Sequence, residues 1–542
     1  MAQLSFQNGH SDGTQLAARS SKLPIGIQSF QVIRQGGYVY VDKTEHVYRL
    51  VDQGMFYFLA RPRRFGKSLL VSTLRCLFEG KKDLFEGLWI ASHADWSWDE
   101  HPVILLDFNQ ITHDTPQNLA LSLERELSHT AQQHQIDLAE PLLKGQFKEL
   151  VLALHRKTNR PVVVLVDEYD KPIIDHLGRG EEALQIARAN RDILKNFFGV
   201  LKGGDVAPVL RFVFITGVSR FSRVSIFSEL NNLDDITLSD GYAGLLGYTQ
   251  DELEHYFQAH IERFAEAWQA SFKAIVARLR EHYDGYRFSQ NPLQVYNPFS
   301  TLKAFREKKF GNYWFETGTP TFLVNLLQER DYPLPQIETL QASETVFGTY
   351  DIGRLKPEAL LFQTGYVTIK AVQGRLYTFG YPNQEVKSAF LETLFHTLTK
   401  GDRNGYDSLF LQLADYLRQE EFDTFFETIQ AIFASIPYTL NAKKDEAYFH
   451  TLFYLMVSAS GVEVQTEILT SRGRIDLVVE FPDKVFVIEF KCNQKPQVGL
   501  QQIQDQGYAE RYRQSGKRVF LMGLEFSTAQ RNLVAWQVQA PA

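Results

Sequence analysis

Cysteine is nearly absent from this 542-residue chain, which holds only Cys76 and Cys492. Two thiols cannot make a disulfide framework, so the disulfide-stapled secreted classes are excluded and a reducing cytosol fits. Cys492 follows a lysine inside an apolar strand pattern and reads as a structural thiol. No apolar run reaches the roughly 18 residues that a membrane span requires. The first 22 residues lack the apolar centre of a signal peptide. Rich in Ser, Gln, Gly and Asn, they read as a flexible tail. An excess of positive charge is also missing: 57 Lys and Arg stand against 64 Asp and Glu, a net charge of −7. That excludes a basic nucleic-acid coat over the whole molecule but leaves room for a local basic groove. The expectation is a cytoplasmic chain, without membrane contact, of two to four domains.

What is present begins with Ala60–Leu70, ARPRRFGKSLL. Gly66-Lys67-Ser68 opens an amphipathic run after the strand-like FYFLA of 56–60, the strand–loop–helix context of a phosphate loop. There Lys67 would meet the terminal phosphates and Ser68 would join a Mg²⁺ shell. The generic loop has a glycine five residues before Gly66, however, and this chain has Arg61. About 100 residues on, PVVVLVDEY (161–169) reads as a strand buried on both faces. It delivers Asp167 for the metal shell and Glu168 to polarise a water. The bland alternative is a strand followed by a solvated acidic turn. A third strand, VLRFVFIT (209–216), runs into GVSR, where Thr216 or Ser219 would sense the terminal phosphate. Arg220 and Arg223 are candidate phosphate or neighbour-subunit contacts.

Leu23 to about Leu238 resembles the AAA-ATPase-like family of bacterial and archaeal proteins. The resemblance rests on YVYVDKT (38–44), RPRRFGKSLL (61–70), LVDEYDKPI (165–173), ITGVSRFS (215–222) and SIFSELNNLDDIT (225–237). It implies ATP as ligand, a parallel-sheet P-loop fold, and an arginine in place of the first loop glycine as a family habit. Pro62 would reroute the loop, and Arg61, Arg63 and Arg64 would add positive charge beside the phosphates.

Residues 239–385 carry aromatic clusters, HYDGYRF (282–288), VYNPFS (295–300) and YWFETGTP (313–320). His282 and Asp284 invite a catalytic reading, but packed aromatic turns fit better because no third polar partner is close in sequence. A hairpin is expected around Gln373-Gly374. Helices followed by a hairpin resemble the lid and winged-helix parts of signalling ATPases, so a helical, winged-helix-like coupling region is expected here. Residues 386–440 read as amphipathic helices leading into a last domain that runs to 542.

In that last domain, GRIDLVVEFPDKVFVIEFKC (473–492) reads as two strands around a Pro-Asp-Lys turn. Alternation puts Glu489 and Lys491 on one face, and antiparallel pairing brings Asp476 to them. Two carboxylates suit a divalent metal, and a lysine beside them can position or deprotonate a water. Glu and Lys alternating on a solvated face is the ordinary reading, yet VFVIEF is otherwise apolar and a charge there is costly unless used. The stretch resembles the PD-(D/E)XK nuclease superfamily, with an α-β-β-β-α-β, restriction-endonuclease-like core expected from helix 444–458 to strand 519–524. The resemblance assigns Asp476, Glu489 and Lys491 to catalysis, with Mg²⁺ or Mn²⁺ on Asp476, Glu489 and Glu446. On the helix that follows, which carries Gln501, Gln502 and Tyr508, it places Gln502 or Tyr508 near the phosphate backbone; Glu467 has no role assigned. The combined expectation is an α/β ATPase fused to a metal-dependent nuclease, acting on DNA rather than RNA, with room for a homo-oligomer. A nucleotide switch whose nuclease-like domain only binds, and a toxin or defence effector, are the alternatives.

Overall fold

The computed structural model describes residues 22–220, 232–314, 356–399, 407–436, 445–470, 473–513 and 515–540, with scattered positions in 226–230 and 323–343. The expected tail (apart from Lys22) and Arg223 lie outside the described residues, as does part of the aromatic run 313–320. Among the described residues no helix is long and apolar enough to cross a membrane.

The first region is built on five parallel strands, β1 Phe56–Ala60, β2 Val103–Asp107, β3 Val162–Asp167, β4 Leu210–Gly217 and β5 Asp234–Asp235. Their order is β2-β3-β4-β1-β5. Every residue of β3 is buried, as a β-branched run covered on both faces requires. Chain crossovers therefore bring the C-terminal ends of β1, β3 and β4 side by side, which gathers the loop after β1, the acids after β3 and the GVSR turn after β4. Helix α1, Lys67–Phe78, starts at Gly66, whose φ of +94° is left-handed. A Cβ there would meet nothing within 4 Å, so backbone conformation and not space demands glycine.

The middle region holds helices α2 Gln250–Ala267, α3 Phe272–Tyr283, α4 Pro298–Glu307 and α5 Pro357–Thr364. Its sheet has β6 Gln341–Ser343, β7 Thr368–Gln373 and β8 Leu376–Gly380 in the order β6-β8-β7. The expected hairpin is there, with Gly374 left-handed at φ +62° in its turn. The aromatic clusters pack under the loop between β1 and α1. Phe65 stands edge-on to Tyr286 and Phe288, Arg64 lies over the Phe299 ring, and Trp314 Nε1 donates to the Arg63 carbonyl. Gly365 is pressed so close to Pro62 that a Cβ would come within 2.8 Å of the proline ring.

Helix α6, Gln384–Thr399, runs across the expected boundary at 385/386. Its buried Glu385 accepts from Ser300 Oγ and from the Trp314 backbone N–H. Helices α7 Asp407–Gln419 and α8 Phe422–Ser435 follow as amphipathic helices.

The last domain has helix α9 Glu446–Ala459, strands β9 Glu463–Leu469, β10 Arg474–Glu480 and β11 Lys484–Cys492, helix α10 Pro496–Asp505, and strands β12 Arg518–Ser527 and β13 Asn532–Gln539. The strand order is β13-β12-β11-β10-β9, with β11 and β12 parallel and the other pairs antiparallel. β13 was not foreseen; it is an antiparallel edge strand beyond the expected core. Alternation along β11 sends Phe486, Ile488 and Phe490 toward the core that holds Phe449 and Phe453 of α9. Val485 and Val487 face Leu500 and Ile503 of α10.

Candidate active sites

At the first site, Lys67 is buried and its Nζ donates to the carbonyls of Arg61 and Pro62, both at 3.1 Å. The same ammonium lies 4.0 Å from Glu168 Oε1. Asp167, at the end of β3, is buried, and burial pushes its carboxyl up to about 6 against the hydrogen bond from Ser68 and the charge of Lys67. Its Oδ1 has no hydrogen-bond partner. A buried carboxylate oxygen left open beside a serine hydroxyl is what a divalent cation needs, so Ser68 and Asp167 fit one. Glu168 is held at φ +55°, an uncommon backbone for a non-glycine residue that turns its side chain off the strand axis.

The arginines of the loop divide. Arg61 points inward: 1% exposed, it donates to the carbonyls of Ala60 and Thr237 at 3.0 and 2.6 Å and lies 4.3 Å over the Phe288 ring. Burial lowers its pKa, opposed by Asp235. The sequence reading gives it charge to present beside the phosphates; buried and bonded inward, it instead anchors the loop from behind. Arg63 and Arg64 are the exposed pair, with Arg63 4.0 Å from Asp175.

Thr216 is likewise turned away from the loop. Its hydroxyl donates to Leu59 O at 2.8 Å, and the residue is fully buried, so it ties β4 to β1. Ser219 is buried and donates from both N and Oγ to Asp170 at 2.6 Å. Asp170 also accepts from Val218 N, so this fully buried acid fixes the turn after β4 against the turn after β3. Sequence reading missed it; an acid three residues past Asp167 carries no pattern by itself. Arg220 is no free surface charge, since it pairs with Asp235 at 2.7 Å.

At the second site the three expected side chains come together. Asp476 Oδ2 accepts from Phe490 N at 2.9 Å, and Asp476 N donates to Glu489 Oε1 at 3.3 Å. Lys491 Nζ reaches Glu489 Oε2 at 3.5 Å and the Phe490 carbonyl at 2.9 Å. Glu489 is fully buried, because α10 passes so close that a Cβ on Gly499 would stand 3.3 Å from that of Glu489. Burial first, and then the Asp476 charge, push its carboxyl up to about 8. A buried acid pressed against a second acid fits a divalent cation, which would remove the repulsion.

Other residues fall elsewhere. Glu446 accepts from Cys492 N at 3.2 Å, and among the described residues no group of three or more His, Cys, Asp or Glu side chains gathers to hold a metal. Tyr508 sits in the apolar cluster with Ile475 and Leu500. Gln501 bonds Asp505 within α10, Gln502 is half-buried, and Glu467 pairs with Arg474. His450 went unnoticed in the sequence. Its Nε2 lies 2.9 Å from the Asp476 carbonyl, and its place four residues after Glu446, on the same helical face, was the available signal.

Two family models match the chain. One described as "Predicted AAA-ATPase" covers residues 24–227, and one described as "PD-(D/E)XK nuclease superfamily" covers residues 444–536. A protein of Azotobacter chroococcum mcd 1, described as "Uncharacterized protein in vnfD 5'region", is 40% identical over 531 residues, spanning 96% of this chain and 99% of its own length.

Proposed function

Because the chain belongs to the predicted AAA-ATPase family and carries a PD-(D/E)XK nuclease superfamily domain toward its C-terminal end, we propose that it binds and hydrolyses ATP and cuts nucleic acid under the control of that nucleotide. The observation that carries the nuclease half is Glu489, a fully buried carboxyl beside Asp476 with Lys491 in reach. Such an arrangement costs stability when both carboxyls are ionised, and a bound cation would offset that cost.

In this reading Lys67 exchanges its two loop carbonyls for phosphate oxygens, and Ser68 with Asp167 would hold the metal. Glu168 accepts a hydrogen bond from the attacking water. At the second site Asp476 and Glu489 would hold Mg²⁺ or Mn²⁺, and Lys491, steadied by the Phe490 carbonyl, orients a water toward the scissile phosphate. Bound metal supplies neutralisation of phosphate charge and an acidified water. DNA is the favoured substrate.

A second reading, a nucleotide switch whose nuclease-like domain binds without cutting, is favoured by Glu446, one of whose oxygens accepts from Cys492 N, and by the lack of a third acid gathered with Asp476 and Glu489 among the described residues. Purified protein with plasmid DNA and Mg²⁺ or Mn²⁺, with and without ATP, separates them. Metal-dependent cutting lost in Asp476→Ala supports the nuclease. Binding without cutting by the unaltered protein supports the switch.

A further inference from the structure

A groove of about 550 Å³, lined by none of the residues of either acid pair, has no role in the function so far described. Segment 22–38, α2 and the end of α4 form it, and its walls include Lys22, Tyr38, Arg263, Phe305, Arg306 and Lys308. No aspartate or glutamate lines it, although acids outnumber bases in the chain as a whole. Of the four cations only Arg306 has a carboxylate partner among the described residues, Glu307 at 3.2 Å. Lys22 donates to the Gly36 carbonyl and stands 5.5 Å above the Tyr38 ring. Arg263 is half-buried, its Nε donating to Ala259 O at 3.0 Å, so one guanidinium is fixed in direction.

We propose that this groove grips the phosphate backbone of a nucleic-acid strand, delivering substrate to a chain whose cutting domain has little charge of its own to hold it. The proposal rests on the nuclease reading above. From Thr439 onward the chain has 12 Lys and Arg against 11 Asp and Glu, whereas backbone affinity comes mainly from cations that neutralise phosphates. Aromatic and apolar walls between cations suit a strand, which presents sugars and bases between its phosphates. An anionic membrane fits less well, because none of the large apolar side chains that stand exposed on the molecule lines the groove. Position also favours substrate. The wall helix α4 carries Phe299 beneath Arg64 in its first turn and Phe305 and Arg306 in its last, so a strand held here lies one rigid element from the nucleotide loop.

The test is fluorescence anisotropy of the full-length protein with a labelled single-stranded oligonucleotide of about 20 residues, without divalent metal. Lys22, Arg306 and Lys308 are all exposed, so their combined reversal to glutamate leaves the fold and ATP hydrolysis intact. The expected result is affinity at least about tenfold weaker near 100 mM salt, with the slope of log affinity against log salt shallower by about 2. A control variant reverses three exposed cations elsewhere, Lys144, Arg156 and Lys202, and should lose much less. Unchanged affinity in the groove variant, or an equal loss in the control, overturns the groove while leaving the nuclease reading in place if the unaltered protein cuts plasmid. An unaltered protein that neither binds nor cuts overturns both.

Discussion

The two acid pairs of this chain are assembled in opposite ways. Asp167 and Glu168 are adjacent in sequence and leave the end of one buried parallel strand. Asp476 and Glu489 are separated by twelve residues and meet only because β10 and β11 pair antiparallel. In the first pair Glu168 stands on left-handed backbone, and a buried lysine lies 4.0 Å from its carboxylate. In the second, backbone N–H groups lock the carboxyls face to face, and α10 seals Glu489 from water. The pKa directions follow: burial raises Asp167 to about 6 and Glu489 to about 8. The lesson is that adjacent acids leaving a strand end stay near a lysine, while a hairpin presses two distant acids together, so ionising the second pair costs more.

The largest expected effect tests whether the pairs are independent. Asp476→Ala or Glu489→Ala should reduce metal-dependent cutting on the order of 10³-fold, about 4 kcal/mol of transition-state stabilisation, with ATP hydrolysis unchanged. Loss of both activities in a folded variant would mean the pairs work as one unit.

Next comes the charge that distinguishes the first pair. Lys67→Ala should weaken ATP binding by on the order of 10²-fold, close to 3 kcal/mol, measured by calorimetry. Glu168→Gln should keep the affinity and lose turnover. Turnover at the unaltered rate would remove Glu168 from the water-positioning role.

A smaller effect concerns the loop that presents Lys67. Arg61→Met keeps the apolar volume but leaves buried carbonyls of residues 60 and 237 without their donor. It should lower stability by about 2–3 kcal/mol, seen as a lower thermal midpoint that ATP restores only in part. A midpoint equal to that of the unaltered protein would show that the guanidinium does not anchor the loop.

The smallest effect uses a buried acid outside both pairs as a control for them. Asp284 is buried with no second acid beside it among the described residues, and burial raises its pKa, opposed by the Gly285 N–H. A raised carboxyl favours folding at low pH, and that contribution is lost as pH rises through its folded value. Asn has no such loss, so Asp284→Asn should match the unaltered stability near pH 4 and exceed it by about 1 kcal/mol at pH 8. ATP hydrolysis and cutting should not change. Activity lost in this variant would make Asp284 part of a site.

Much of this was legible in advance because the signals are local. The apolar run 162–166 has to be a strand covered on both faces, and its acids have to emerge at the end. Alternation along 485–491 puts Glu489 and Lys491 on one side whatever surrounds them. Gly66 before Lys67 marks a turn that only glycine enters freely. These are consequences of backbone geometry, which a few neighbouring residues determine.

Tertiary structure alone decided which polar groups turn inward. Arg61 reads as a phosphate arginine until Phe288 and the carbonyl of residue 237, more than 170 positions away, are seen to hold it. Thr216 reads as a sensor until its hydroxyl is found on Leu59, and Tyr508 as a ligand contact until it packs with Leu500. His450 has a role only because α9 lies across β10 and presents it to the Asp476 carbonyl. A buried polar group must find its partner wherever the fold brings one, and that partner is set by contacts distant in sequence. The spacing of residues along the chain therefore determined both acid pairs, and packing between distant elements determined what surrounds, orients and supports them.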